Sequence, residues 1–104
     1  MANKAPSRPA LLAEFAARYI WWRDAHGPSD DRVIAQVMNI GTWDDIRRLE
    51  AAYSAEELRG LMLRAAAGWI SDRSWDFWRG RLLHGGVGPI PQAAPRRSFH
   101  AETP

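Results

Sequence analysis

A serine or threonine stands directly before an apolar-striped segment four times in this chain, at Ser29, Thr42, Ser54 and Ser71. The hydroxyl of such a residue accepts a hydrogen bond from an unpaired backbone N–H of the following turn, so each position predicts a helix start. Pro9 predicts an earlier helix, because a first turn tolerates the missing N–H of proline. The pattern predicts an all-α protein, a single small bundle of about five short helices joined by tight capped turns.

The composition divides the chain into three parts. Residues 1–7 lack an apolar pattern, which predicts a flexible N-terminus. Residues 8–84 carry the helical stripes, and within them Gly41 is expected to end one helix in a left-handed conformation. Residues 85–104 are rich in proline and glycine, so we expect a disordered, flexible tail. The alternative is a segment that becomes ordered on a partner, with Ile90 or Phe99 as its anchor.

The size and charge of the chain limit what it can do. A chain of 104 residues, 46% of them apolar, builds one modest core, and a large active-site cleft is not expected. The absence of cysteine excludes disulfides and sulfur-ligated metals. No apolar run approaches the ~18 residues of a membrane helix, and no signal-peptide pattern is present, so we expect a cytoplasmic protein. A formal charge of +2, with acids and bases interleaved, is weak support for a nucleic-acid partner.

The titratable residues indicate structure rather than catalysis. The pairs Asp30/Asp31 and Asp44/Asp45 fall in first turns, where acidic side chains stabilise the positive end of the helix dipole. The three histidines are far apart and lack the spacing of a metal-ligand set; they are His26, His84 and His100. We therefore expect no metal, no cofactor and no enzyme activity.

Six tryptophans in so short a chain exceed what one small core requires, and tryptophan and arginine are enriched at interface hot spots. Burial is the favoured interpretation of Trp43, Trp75 and Trp78, with contact to a partner as the alternative. Trp21, Trp22 and Trp69 adjoin helix ends and favour an interface. The predicted partner-binding residues are Trp21, Trp22, Trp69, Ser71, Arg73, Ser74 and Trp78.

A helix-turn-helix is the main alternative architecture for a binding site. In such a motif the start of the second helix contacts DNA. Ser71, Arg73 and Ser74 open the fifth helix with residue types that contact phosphates and bases. Glu56 and Glu57 open the fourth helix, and their carboxylates would repel phosphate. The alternative function is therefore a small DNA-binding transcriptional regulator that uses the fourth and fifth helices.

Four short motifs of the chain resemble those of a group of short helical bacterial proteins. They are residues 32–38 (RVIAQVM), 41–46 (GTWDDI), 53–58 (YSAEEL) and 70–78 (ISDRSWDFW). Members of this group are often encoded beside AbiEii-type nucleotidyltransferase toxins. The resemblance implies a non-enzymatic, antitoxin-like protein that binds and neutralises such a toxin, with no catalytic residues to carry over. Operator DNA and a second copy of the chain are the other partners considered.

Overall fold

The computed structural model describes residues 7–22 and 27–96. Within them the chain forms five α-helices and no strand: α1 (Arg8–Tyr19), α2 (Asp30–Ile40), α3 (Trp43–Ala52), α4 (Ala55–Arg64) and α5 (Asp72–His84). The predicted all-α architecture is confirmed. None of the helices in these ranges has the length and apolar content to cross a bilayer.

Every one of these five helices begins at a serine or threonine. In each, the side-chain oxygen accepts a hydrogen bond from the backbone N–H three residues further on, which satisfies one otherwise unpaired donor of the first turn. The four predicted caps are confirmed, and Ser7 adds a fifth before Pro9. The cap and donor pairs are Ser7 with Ala10, Ser29 with Arg32, Thr42 with Asp45, Ser54 with Glu57 and Ser71 with Ser74.

Helix α2 lies at the centre of the bundle and packs against each of the other four helices. Its six consecutive residues 33–38 are all buried, as expected for a helix surrounded by neighbours rather than lying on a surface. Phe15 of α1, Leu49 of α3, Met62 of α4 and Trp78 of α5 complete the fully buried core around it.

Gly41 ends α2 differently from the prediction. Its backbone is extended, with φ −66° and ψ 154°, so the predicted left-handed conformation is wrong. Glycine is required here for space, because a Cβ at this position would lie 2.4 Å from the carbonyl oxygen of Val37. The chain therefore passes close over the last turn of α2 and enters α3 at once.

The start of α3 contains a capping box that Tyr19 completes. Asp45 occupies the position where a capping box usually has glutamate, whose side chain reaches the backbone N–H of the cap residue. The side chain of aspartate is one methylene shorter. The Tyr19 hydroxyl fills the gap: it accepts from the Thr42 N–H at 3.1 Å and donates to the Asp45 carboxylate at 2.6 Å. The end of α1 is thus tied to the start of α3.

Residues 87–96 form a packed segment, the C-terminal strap. Ile90 and Ala94 are buried in the core. Helix side chains supply the hydrogen bonds that this segment cannot form with itself: Trp75 Nε1 donates to the Pro91 carbonyl at 2.8 Å, and Arg79 Nε donates to the Ile90 carbonyl at 2.9 Å. The segment is non-helical, as predicted, but the expected disorder from residue 85 onward is wrong as far as residue 96. Residues 1–6 and 97–104, including Phe99 and His100, lie outside the described residues.

Candidate functional site

An aromatic cluster forms where the end of α1, the first turn of α2 and the loop before α5 meet. The Arg32 guanidinium carbon lies over the indole rings of both Trp22 and Trp69, 4.9 Å and 5.2 Å from their centroids. Trp21 stands edge-on to Trp22, with ring centroids 5.4 Å apart, and is 70% exposed. Trp21, Trp22, Arg32 and Trp69 together form the Trp–Arg cluster. Three of them, Trp21, Trp22 and Trp69, were predicted to bind a partner, and the structure brings them together.

Local backbone features fix the members of this cluster. Arg32 is the third residue of α2, and its backbone N–H donates to the Ser29 cap. Gly68 has φ +87°, a left-handed conformation that glycine adopts without steric cost. In this turn Trp69 donates its backbone N–H to the Ala66 carbonyl at 3.1 Å. Ile70 follows and is buried, so the indole of Trp69 is held at the surface of a rigid turn.

The Arg32 side chain differs in its electrostatics from three other arginines of the fold. Burial lowers its pKa below the ordinary arginine value. Arg8, Arg64 and Arg81 each donate to a carboxylate, and this bonding raises their pKa values. Arg32 forms no ion pair within residues 7–22 and 27–96, and its nearest polar contact there is a long one, 3.5 Å to Gln36 Oε1. It is a partly desolvated cation held by aromatic rings.

The planar guanidinium of Arg32 can therefore receive an anion. Stacking on the indoles occupies its faces, and within residues 7–22 and 27–96 its edge contacts no carboxylate, so its N–H groups can bind a carboxylate or a phosphate at two points. The sequence pattern does not distinguish Arg32, because an arginine in a helix first turn resembles any solvated surface charge. The only available signal was that Trp22 and Trp69 fitted no apolar stripe.

The other predicted contact residues fall into a different region, around the start of α5. Ser71 and Ser74 are engaged within the fold: the Ser71 N–H donates to Asn39 Oδ1 and the Ser74 hydroxyl donates to the Asn39 carbonyl, both at 2.9 Å. Asn39 thus connects the start of α5 to the end of α2 by hydrogen bonds. Arg73 is exposed beside them.

Trp78 was favoured as a core residue and was also placed among the predicted partner contacts; the structure places it in the core. Its side chain is fully buried, at 0% exposure, and its indole N–H donates to the Met38 carbonyl at 2.9 Å. Trp75, at 1% exposure, is a core residue, which agrees with the interpretation favoured from the sequence. The spacing of α5 turns both rings onto α2 and the strap, so neither is available to a partner.

Trp43 is also placed differently from the favoured interpretation. Burial was favoured for it, but it is 51% exposed. The guanidinium of Arg81 covers its ring at a distance of 4.9 Å and also lies 5.8 Å from the ring of Phe77, which is 45% exposed. Arg81 is held in turn by Glu50, with Nη2 to Oε1 at 2.9 Å. A second aromatic surface therefore joins α3 to α5, distinct from the Trp–Arg cluster.

A cavity of about 750 Å³ opens between α1, α2 and α4. Its floor is apolar and includes Leu12 and Leu61. Ion pairs border it, with Arg8 bound to Glu57 at 2.7 Å and Arg64 bound to Asp31 at 2.9 Å. Asp31 therefore has an inter-helix role beyond the first-turn role predicted for it.

In the part of the chain that the structure describes, no group of three acidic or histidine side chains is placed to hold a metal ion. Comparisons of the chain with protein-family models, with curated proteins and with solved structures gave no match.

Proposed function

We propose that this chain is a non-enzymatic, antitoxin-like protein that binds a nucleotidyltransferase-type toxin through the Trp–Arg cluster. The observation that carries the binding site is the partly desolvated Arg32 stacked on two half-buried indoles. The resemblance of residues 32–78 to proteins encoded beside such toxins supports the class of partner. The two supports are independent, and they are tested separately.

Energetics favour a partner carboxylate at this site. Removing an arginine from water has a free-energy cost, and a carboxylate that binds its N–H edge offsets that cost within the same interface. Tryptophan and arginine are also the residue types in which interface binding energy concentrates. Trp21, the most exposed of the large apolar residues in the described part of the chain, would bury its indole at the rim of such a contact.

The DNA-binding alternative has weaker support from the surface of α5. The packing of α4 against α5 is sparse compared with the packing of either helix on α2, whereas a helix-turn-helix needs its two helices packed together. The hydroxyls of Ser71 and Ser74 take part in internal hydrogen bonds. Asp72 and Asp76 are exposed on the same helix and would repel phosphate.

The test of the toxin partner is co-expression of the chain with the product of the adjacent gene, followed by affinity capture of the complex. Trp22→Ala and Arg32→Ala should each weaken the complex by about thirtyfold or more, the loss of roughly 2 kcal/mol typical of an interface hot spot. Arg32→Lys should recover only part of the affinity, because an ammonium lacks the planar fork. Arg47→Ala, at an exposed arginine on α3, is the matched control and should bind normally.

The outcomes separate the site from the partner class. Circular dichroism melting of each variant checks that the fold is retained. Binding unchanged in both Trp22→Ala and Arg32→Ala would remove the cluster from the interface. The adjacent gene product could instead be a protein other than a nucleotidyltransferase that binds the unchanged chain but not these variants. That result would support the binding site and contradict the proposed class of partner. Operator fragments shifted with a steep salt dependence would favour the regulator instead.

A further inference from the structure

The second aromatic surface is independent of the Trp–Arg cluster and shares no residue with it. Trp43 and Phe77 expose about half of their rings to solvent. A depression of about 390 Å³ lies between them, with Ile46 and Gly41 also in its wall. Arg81 spans both rings and is locked by Glu50, so the two aromatics are held in fixed relative positions.

The charges around this surface are balanced. Four exposed side chains flank the rings and form no ion pair within the described ranges: Asp44, Arg47, Arg73 and Asp76. Asp44 and Arg47 are three residues apart on α3, and Arg73 and Asp76 are three residues apart on α5. A nucleic acid or a strongly acidic partner would call for a surface of one sign.

We propose that this surface binds a second copy of the chain in a two-fold symmetric dimer. In such a dimer one patch faces itself, so its charged groups can pair across the interface when both signs are present, and an apolar centre can bury against its own copy. The Trp43–Phe77 surface has both properties: two acids and two bases, none of them ion-paired in the described part of the chain, flank a pair of half-exposed rings. Each copy would place a ring against the depression of the other, with free arginines opposite free aspartates.

The test is sedimentation velocity of the full chain from about 10 to about 500 µM, a range suited to a small interface of modest affinity. The unchanged protein should shift from monomer toward dimer as concentration rises. Phe77→Glu should raise the dissociation constant by about thirtyfold or more. Leu63→Glu is the matched control, since Leu63 is 47% exposed on α4 and lies outside the surface; it should dimerise normally.

Complementary charge variants test the two-fold arrangement itself. An acidic variant, R47E/R73E, and a basic variant, D44K/D76K, should each be monomeric, whereas an equimolar mixture should form a heterodimer. A protein that stays monomeric at every concentration overturns the proposal. So does a dimer that persists in Phe77→Glu, or a mixture that associates no better than its components. The two variants expected to weaken toxin capture, Trp22→Ala and Arg32→Ala, lie outside this surface, so the two proposals can fail separately.

Discussion

At the scale of single residues, Tyr19 and Asp45 show how a buried polar group is stabilised in this small core. Asp45 is only 2% exposed. Burial opposes its ionisation, but hydrogen bonds from Tyr19, Arg18 and Arg48 outweigh that effect and place its pKa below the ordinary value. A single phenol hydroxyl serves both the Thr42 N–H and the Asp45 carboxylate. First-turn acids were predicted to act on the helix dipole, and Asp45 has this larger role in addition.

Tyr19→Phe should destabilise the fold by about 1–3 kcal/mol, because it leaves the Thr42 N–H without its partner and removes one donor from a buried carboxylate. The free energy of unfolding, measured with urea, provides the check. Tyr53→Phe is the matched control, since the Tyr53 ring contacts Arg8 at 4.2 Å and the substitution keeps that ring. A loss in Tyr53→Phe as large as that in Tyr19→Phe would contradict the role assigned to the Tyr19 hydroxyl.

The lowered pKa of Glu57 predicts that the fold loses stability in acid. A hydrogen bond from Arg8, together with the Ser54 backbone N–H, lowers its pKa to about 2, against about 4.3 in an unfolded chain. A lowered folded-state pKa contributes stability that is present above the unfolded value and is lost as pH falls toward 2. The free energy of unfolding should therefore decline from about pH 5 downward. In Glu57→Gln the free energy of unfolding should decline less steeply with falling pH. Asp76→Asn is the control, because Asp76 is exposed and forms no ion pair in the described ranges; it should leave this pH dependence unchanged.

At the scale of elements, helix starts were predictable and surfaces were not. A cap and its apolar stripe are encoded within a few consecutive residues, so Ser29, Thr42, Ser54 and Ser71 could be identified from spacing alone. The Trp–Arg cluster joins three separate segments, and no local pattern relates Arg32 to Trp69. The exposure of Trp43 also depends on the angle between α3 and α5, which the sequence pattern does not contain.

Two glycines provide a test of helix geometry. Gly41→Ala should destabilise the protein, because the new methyl group would overlap the Val37 carbonyl and force the entry of α3 outward. Gly80→Ala should stabilise it by about 0.5–1 kcal/mol, since Gly80 lies within α5 and a Cβ there meets no atom within 4 Å. Thermal denaturation of the two variants should therefore shift in opposite directions; shifts of the same sign would contradict the geometry at one of the two sites.

At the scale of the whole molecule, the C-terminal strap links helices that otherwise meet mainly through α2. Arg59 of α4 donates to the Pro89 carbonyl at 2.9 Å, and the Gly88 N–H donates to Glu56 at 3.2 Å. Trp75 and Arg79 hold the same segment from the side of α5. A proline- and glycine-rich composition correctly predicted the lack of regular structure. It could not reveal that distant side chains supply the missing hydrogen bonds.

Ile90→Ala should lower the free energy of unfolding by about 2–4 kcal/mol, the usual effect of truncating a large aliphatic side chain in a core. Gln92→Ala, at an exposed strap position, is the control and should stay within about 0.5 kcal/mol of the unchanged protein. Chemical denaturation measures both. A negligible effect in Ile90→Ala would mean that the strap does not contribute to the core in solution.

The hydrogen bonds of the two buried indoles have a spectroscopic consequence. The indole N–H of Trp75 donates to the Pro91 carbonyl of the strap, whereas that of Trp78 donates to the Met38 carbonyl of α2. Detachment of the strap alone would free the first proton and leave the second protected, so their deuterium-exchange rates report two different opening events. A faster exchange at Trp75 than at Trp78 would measure the free energy of strap release separately from that of global unfolding.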